Sequence, residues 1–202
     1  MAVVLLARQR IREVRELIKH NRAGALADLE DMFRAGAAPG DLLDGRYSGQ
    51  LILTTYYPAI DHLARLAMTS LISWKGSSFD VETGIGETVL GKRMERLLRV
   101  AFPRYSGTQP DGPDRCRAFS FTTTIGASLH YPDQDVLVAD YCSDDNPGPL
   151  RRMVHEIVEI GDDYYLGRVL IQQYPCRWLC RAYFTLSAVP EGIAFPWLEQ
   201  TV

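Results

Sequence analysis

The sequence predicts a mainly β fold, an antiparallel β-barrel of about eight strands with N-terminal helices and one inserted helix. Many segments alternate apolar and polar residues with period two, which is typical of strands with one buried face. The late segments are joined by turns rich in Gly, Asp and Pro, which favour an antiparallel meander over crossover connections. Strands this numerous and long favour closure into a barrel, because closure removes the exposed sheet edges.

Length and composition limit the organisation of the chain. Its 202 residues, 47% hydrophobic and 23% charged, suit one barrel domain over residues 41–202 and a helical segment over residues 1–40 that packs on it or caps it. A net charge of −3 without basic runs excludes nucleic acid as a partner. We expect a cytoplasmic protein with reduced core cysteines, because we find neither a signal peptide nor a membrane span.

The N-terminal segment has helical periodicity. Apolar residues at spacings of three and four predict an amphipathic helix over residues 4–20 and a second, shorter helix that ends before Gly36. Such a pair could plug or lid the barrel, or it could pack on the outside. The sequence leaves both arrangements open.

The first half of the barrel mixes strands and helices. A strand begins at Gly45, and a helix that starts at Pro58 and runs to residue 73 interrupts the sheet. A strand over residues 73–80 and its hairpin partner over 86–90 follow. A long loop over residues 105–114 comes later, and loops of that length usually cover something. Between the hairpin strand over residues 86–90 and this loop, we predict a short helix in which Met94, Leu97 and Leu98 are buried.

The second half is nearly all β. Alternation from Arg115 predicts one strand, and a meander follows over residues 135–142, 151–160 and 163–171. The closing strand over residues 176–186 has the clearest alternation in the chain.

Two carboxylates fall on apolar faces of the meander. Glu156 stands in an apolar row of the middle strand, and Asp140 continues such a row on the strand before it. A buried carboxylate is costly unless it is paired, so either it is functional or a nearby arginine neutralises it. The candidate arginines are Arg151, Arg152 and Arg168. His155 faces away from Glu156 if the strand is regular.

Short motifs extend along the chain from Asp44 to Leu186. They are Asp44-Gly45-Arg46-Tyr47, Trp74-Lys75-Gly76-x-x-Phe79-Asp80, Asp111-Gly112-Pro113, Asp140-Tyr141, Asn146-Pro147, Glu156-Ile157-Val158, Tyr165-Leu166-Gly167 and Tyr183-Phe184-x-Leu186. In these motifs the chain resembles a bacterial family of this size that has no agreed activity. The helical entry, the Gly45-x-Tyr47-x-Gly49 opening and the aromatic closing strand resemble a calycin, or lipocalin-like, barrel. The chain departs from these patterns in having Tyr47 for the lipocalin tryptophan and His155 where the family resemblance implies an acid.

A barrel of about eight strands can hold one small ligand in an apolar interior with a few polar groups. We assign acid or base roles to Glu156 and Asp140, with Tyr165 as a hydroxyl donor, because desolvation raises the pKa of a buried carboxyl toward neutrality. The predicted ligand-binding residues are Trp74, Arg117, Phe119, Phe121, Tyr141, Trp178, Tyr183 and Phe184.

Three functional hypotheses remain. The first is a cofactor-independent biosynthetic enzyme, a cyclase or isomerase, that acts on a hydrophobic small molecule. The second is a non-catalytic carrier or sensor of a lipid-like ligand, and the third is an interaction module whose acids are structural. No phosphate-binding glycine loop, zinc-ligand spacing or nucleophile elbow is present, so we expect no cofactor and no metal.

Overall fold

The computed structural model describes residues 2–55, 74–173 and 177–189, with side chains from residue 5 onward. The helix predicted over residues 58–73 and Cys176 lie outside the described residues. Within them, no helix combines the length and the apolar character needed to cross a bilayer.

The helices follow the predicted order. They are α1 (Ala2–Ile18), α2 (Arg22–Ala35) and α3 (Arg93–Ala101). The Asn21 side chain caps α2 by accepting a hydrogen bond from the N–H of Gly24 at 2.9 Å, and α2 ends before Gly36 as predicted. In α3, Met94 and Leu98 are buried, but Leu97 is 43% exposed. The prediction for Leu97 was wrong because only the i, i+4 pair of this short helix faces the barrel.

Among the described residues, nine antiparallel strands form one sheet. They are β1 (Gly45–Thr54), β2 (Trp74–Asp80), β3 (Ile85–Gly91), β4 (Gln109–Pro110), β5 (Arg115–Ala127), β6 (Asp135–Asp140), β7 (Met153–Gly161), β8 (Tyr164–Gln173) and β9 (Arg177–Ala188). Eight of them run in the order β3-β2-β1-β9-β8-β7-β6-β5, and pairing of β3 with β5 closes the ring. The predicted eight-stranded barrel is therefore confirmed, and β4 is a two-residue addition beside β5 within the predicted long loop.

The barrel has a core on each side of its sheet. Inside, residues such as Tyr47, Phe121 and Phe184 pack together. Outside, Leu29 and Phe33 of α2, with apolar residues of α1, cover outward side chains of the strands. Helix α1 contacts β7 and helix α2 contacts β7 and β8, so these two helices pack on the outside of the barrel. Much of β6, β7 and β8 is consequently buried on both faces.

Two glycines make room for large rings inside the barrel. A Cβ added at Gly49 would lie less than 3.0 Å from the ring of Trp74, and one at Gly167 would lie equally close to the ring of Phe184. These rings meet edge to face, with centroids 5.2 Å apart. A strand glycine often marks such a close approach.

We expect Gly167→Ala to destabilise the fold by about 1–3 kcal/mol, because the methyl group must displace the buried ring of Phe184. Gly126→Ala in β5 is the matched control, since a Cβ there meets no atom within 4 Å. Urea denaturation gives the free energy of unfolding of both variants. Equal stabilities would contradict the tight approach at Gly167.

Candidate ligand site inside the barrel

Strand β7 presents His155 to the inside of the barrel and Glu156 to the outside. Its pairing with β6 and β8 is regular through this region, and the register shifts only after Glu159. The two side chains therefore face opposite ways, as predicted for a regular strand. The histidine, not the carboxylate, is the inward group.

His155 joins two hydroxyl groups in a polar trio. Its Nδ1 lies 3.5 Å from the Tyr141 hydroxyl, which lies 3.0 Å from the Thr88 hydroxyl. His155 lies in β7, Tyr141 directly follows β6 and Thr88 lies in β3, so barrel closure brings them together. We call Thr88, Tyr141 and His155 the inner polar trio.

Aromatic rings surround the trio. The His155 ring lies 4.8 Å from that of Tyr141 and 5.2 Å from that of Phe184, and the Phe121 ring lies 5.0 Å from that of Tyr141. We define Trp74, Phe121, Tyr141, His155 and Phe184 as the inner aromatic layer. Four of these residues, all except His155, were predicted as ligand-binding from the sequence, and the structure brings them together.

Two members of the inner aromatic layer are partly exposed. Protein surrounds His155, yet its side chain keeps partial exposure, as does Trp74. Met153 and Val169, which also pack against the inner core, are partly exposed too. These side chains lie toward the barrel end at which β2 and β7 begin.

The opposite end of the barrel is closed by packing. Tyr47 and Tyr165 meet edge to face with centroids 5.7 Å apart, and Leu43 and Leu186 belong to the same buried core. Burial raises the pKa of Tyr165. Tyr165, predicted as a hydroxyl donor to a reaction, is therefore a neutral group in this closed end.

Burial keeps the inner polar trio uncharged. It lowers the pKa of His155 from 6.5 to about 3, with no contribution from a charged group. Burial also raises the pKa of Tyr141. At neutral pH both side chains exchange hydrogen bonds as neutral groups.

Glu156 lies in a buried ionic network outside the barrel. It accepts hydrogen bonds from Leu129 N–H at 2.6 Å and from the Ser128 hydroxyl at 3.1 Å, and Arg168 Nε donates to it at 2.9 Å. Both Glu156 and Arg168 are fully buried, and Arg168 also donates to Glu30 of α2 at 2.9 Å. Of the arginines proposed to neutralise the acids, Arg168 is the one that pairs with Glu156.

The expectation that Glu156 and Asp140 face a pocket inside the barrel is not met. Asp140 lies on the outer face of β6, partly exposed, and accepts a hydrogen bond from Cys142 N–H at 2.9 Å. The sequence could not exclude the inner position, because the helices make the outer face apolar as well. Cys142 is exposed rather than part of the core, whereas Cys116 is buried as expected.

The other predicted ligand-binding residues lie away from the inner aromatic layer. Arg117 pairs with Glu87 at 2.7 Å on the outer face, and Trp178 lines an open groove on the surface. Phe119 stacks on Tyr105 beside the β5 bulge, where Phe119 has a φ of +56°. Tyr183 donates to Glu30 in the outer ionic network.

Sequence reasoning missed His155 and Thr88 as site residues. The sequence pattern that points to His155 is the period-two alternation of β7, together with the inward position of Tyr141 on the neighbouring strand segment. Only the pairing of β3 with β5 brings Thr88 across to Tyr141. Among the described residues, no three His, Cys, Asp or Glu side chains gather as metal ligands would.

Comparisons with known proteins give one structural similarity. No protein-family model matches the chain, and no curated protein sequence matches it. A crystal structure of a protein from Thermomonospora curvata is similar, with 16% sequence identity, coverage of 89% of this chain and 97% of that one, and a TM-score of 0.49.

We expect Arg168→Met to destabilise the protein by about 3–5 kcal/mol, because it leaves the buried Glu156 without its counter-ion. Adding Glu156→Gln to this variant should recover part of the loss. Arg99→Met, in an exposed pair with Glu95, should cost less than about 1 kcal/mol. Chemical denaturation measures all three variants, and a similar loss for Arg168→Met and Arg99→Met would contradict the network's structural role.

His155 should make folding sensitive to acid. The unfolded chain binds a proton at this residue below about pH 6.5, whereas the folded chain does so only near pH 3. Between these values the unfolded state holds more protons, so lowering the pH costs up to about 1.4 kcal/mol per unit.

The variant His155→Gln should lack this part of the pH dependence, and the exposed His20→Gln should retain it. Unfolding free energies from pH 7 down to pH 4 test this, since the carboxyl groups contribute equally in all three proteins. Parallel curves for wild type and His155→Gln would contradict the burial of a neutral histidine.

Proposed function

We propose that the protein binds an apolar small molecule inside the barrel, against the inner aromatic layer. The observation that carries this proposal is the partial exposure of Trp74 and His155 within a closed barrel. Barrels of eight strands have interiors that side chains just fill, or that hold one small ligand. Deep aromatic residues that keep accessible surface favour the second case. The calycin resemblance, with helices before an eight-stranded barrel, fits the same role.

A cofactor-independent cyclase or isomerase is the second candidate. It is favoured by the inner polar trio, where a neutral imidazole and a phenol could pass a proton to and from a substrate without a cofactor. The acid or base in this reaction would be His155 or Tyr141, because Glu156 lies on the other face of β7 and is bound by Arg168. A base with a pKa of about 3 is weak at neutral pH, so binding is better supported than catalysis.

Untargeted mass spectrometry of a metabolite extract tests both candidates. Wild-type protein should retain an apolar compound, and Val169→Trp should lose it, because the larger ring fills the space beside His155. His20→Gln on the surface is the control and should retain the compound. Circular dichroism checks that each variant is folded.

The fate of the compound separates the candidates. A compound that wild type releases unchanged indicates a carrier or sensor. One that wild type converts but His155→Gln only binds indicates an enzyme. Equal retention of the compound by wild type and Val169→Trp would contradict binding inside the barrel. If Glu156→Gln is folded but no longer converts the compound, Glu156 rather than His155 would be the catalytic acid or base.

A further inference from the structure

We infer that the ligand of the barrel is an uncharged ring compound with one hydrogen-bonding group, held by the inner polar trio, rather than a fatty acid or another anion. This inference rests on the proposed binding function and specifies the class of ligand. Charge, shape and hydrogen bonding at the inner aromatic layer each support it.

The side chains that form the inner aromatic layer carry no charge. Among the described residues, the side chains at this level of the barrel interior that can form hydrogen bonds are Ser77, Thr88, Tyr141, His155 and, through its indole N–H, Trp74, all neutral. Two pairs of neighbouring charged residues point outward. These pairs are Arg168 with Glu156 and Arg117 with Glu87.

Among the described residues, the inner aromatic layer itself offers an anion no counter-ion. The hydrogen bond of the imidazole is to the neutral Tyr141 hydroxyl, and no ion pair within the part of the chain that the structure describes includes His155. Burying an ionised carboxylate without a partner is far more costly than burying a ketone or a hydroxyl. The ordinary route to an anion site, a protonated histidine, is disfavoured here because burial keeps His155 neutral.

The shape of the layer suits a flat ring. Trp74 and Phe184 lie nearly perpendicular, at 81°, and His155 is tilted by 56° against Phe184. Rings set at such angles offer both faces and edges to a ring placed between them. The partly exposed members, Trp74 and His155, both contact the ring of Phe184.

Hydrogen bonding adds one polar contact. Nδ1 of His155 is directed to the Tyr141 hydroxyl, and Nε2 has no hydrogen-bond partner among the described residues. A carbonyl or hydroxyl group on the ligand would complete the trio, and a ligand without such a group would leave it unsatisfied. One ring and one polar group are therefore the features that the site recognises.

A matched series of naphthalene compounds tests this inference with the full chain. The probes are 2-ethylnaphthalene, 2-acetylnaphthalene and 2-naphthoate, which share a ring and are similar in size. Titration calorimetry at neutral pH gives their affinities. We expect the ketone to bind at least about tenfold more tightly than the ionised naphthoate.

His155→Phe should reduce the affinity for the ketone about two- to tenfold, the effect of one lost hydrogen bond, and should leave 2-ethylnaphthalene nearly unaffected. His20→Gln is the control and should bind as wild type does. A ketone whose affinity is the same for His155→Phe and wild type would overturn the role of the trio.

Failure of the inference and failure of the proposed function give different results. If naphthoate binds as tightly as the ketone and Val169→Trp loses both, the inference that the ligand is uncharged would be overturned. The proposed binding inside the barrel would stand. That result would point to a cation such as Arg181 at the β9 bulge. No saturable binding of any probe, or binding that Val169→Trp leaves intact, would contradict binding inside the barrel itself.

Discussion

The pairing of β3 with β5 is the constraint on which the rest of the structure depends. It joins the two ends of an eight-stranded sheet and so divides each strand into an inward and an outward row of side chains. It also brings Thr88 of β3 to Tyr141, which directly follows β6, although the two are 53 positions apart in the chain. Without closure, the inner aromatic layer would be one face of an open sheet, and neither its burial nor its neutral histidine would follow.

The outer face depends on a different interaction, the buried pairing of Arg168 with Glu156 and Glu30. Arg168 also lies over the ring of Phe33, with its guanidinium carbon 4.2 Å from the ring centroid. A buried cation between two carboxylates contributes little net stability, but removal of one partner is costly. The network therefore fixes where α2 sits on β7 and β8 more than it strengthens the fold.

The two faces thus differ in how they accommodate polar groups. Outside, charges are buried in pairs and serve to position the helices. Inside, polar groups are neutral and sparse, and aromatic rings contact them directly. This division explains why a small molecule that enters the barrel would meet hydrogen-bonding groups but no fixed charge among the described residues.

The sequence by itself determined the strand pattern, the helical entry and the fact that His155 and Glu156 face opposite ways, because a period of two is a property of the local backbone. It also predicted four of the aromatic residues that meet inside the barrel. Only the tertiary structure decided which face is the inside. On β7 both faces are buried, one under helices and one in the barrel, so hydrophobicity could not distinguish them. The choice between His155 and Glu156 as the inward group was therefore made by barrel closure and helix docking, which act over long separations in the chain.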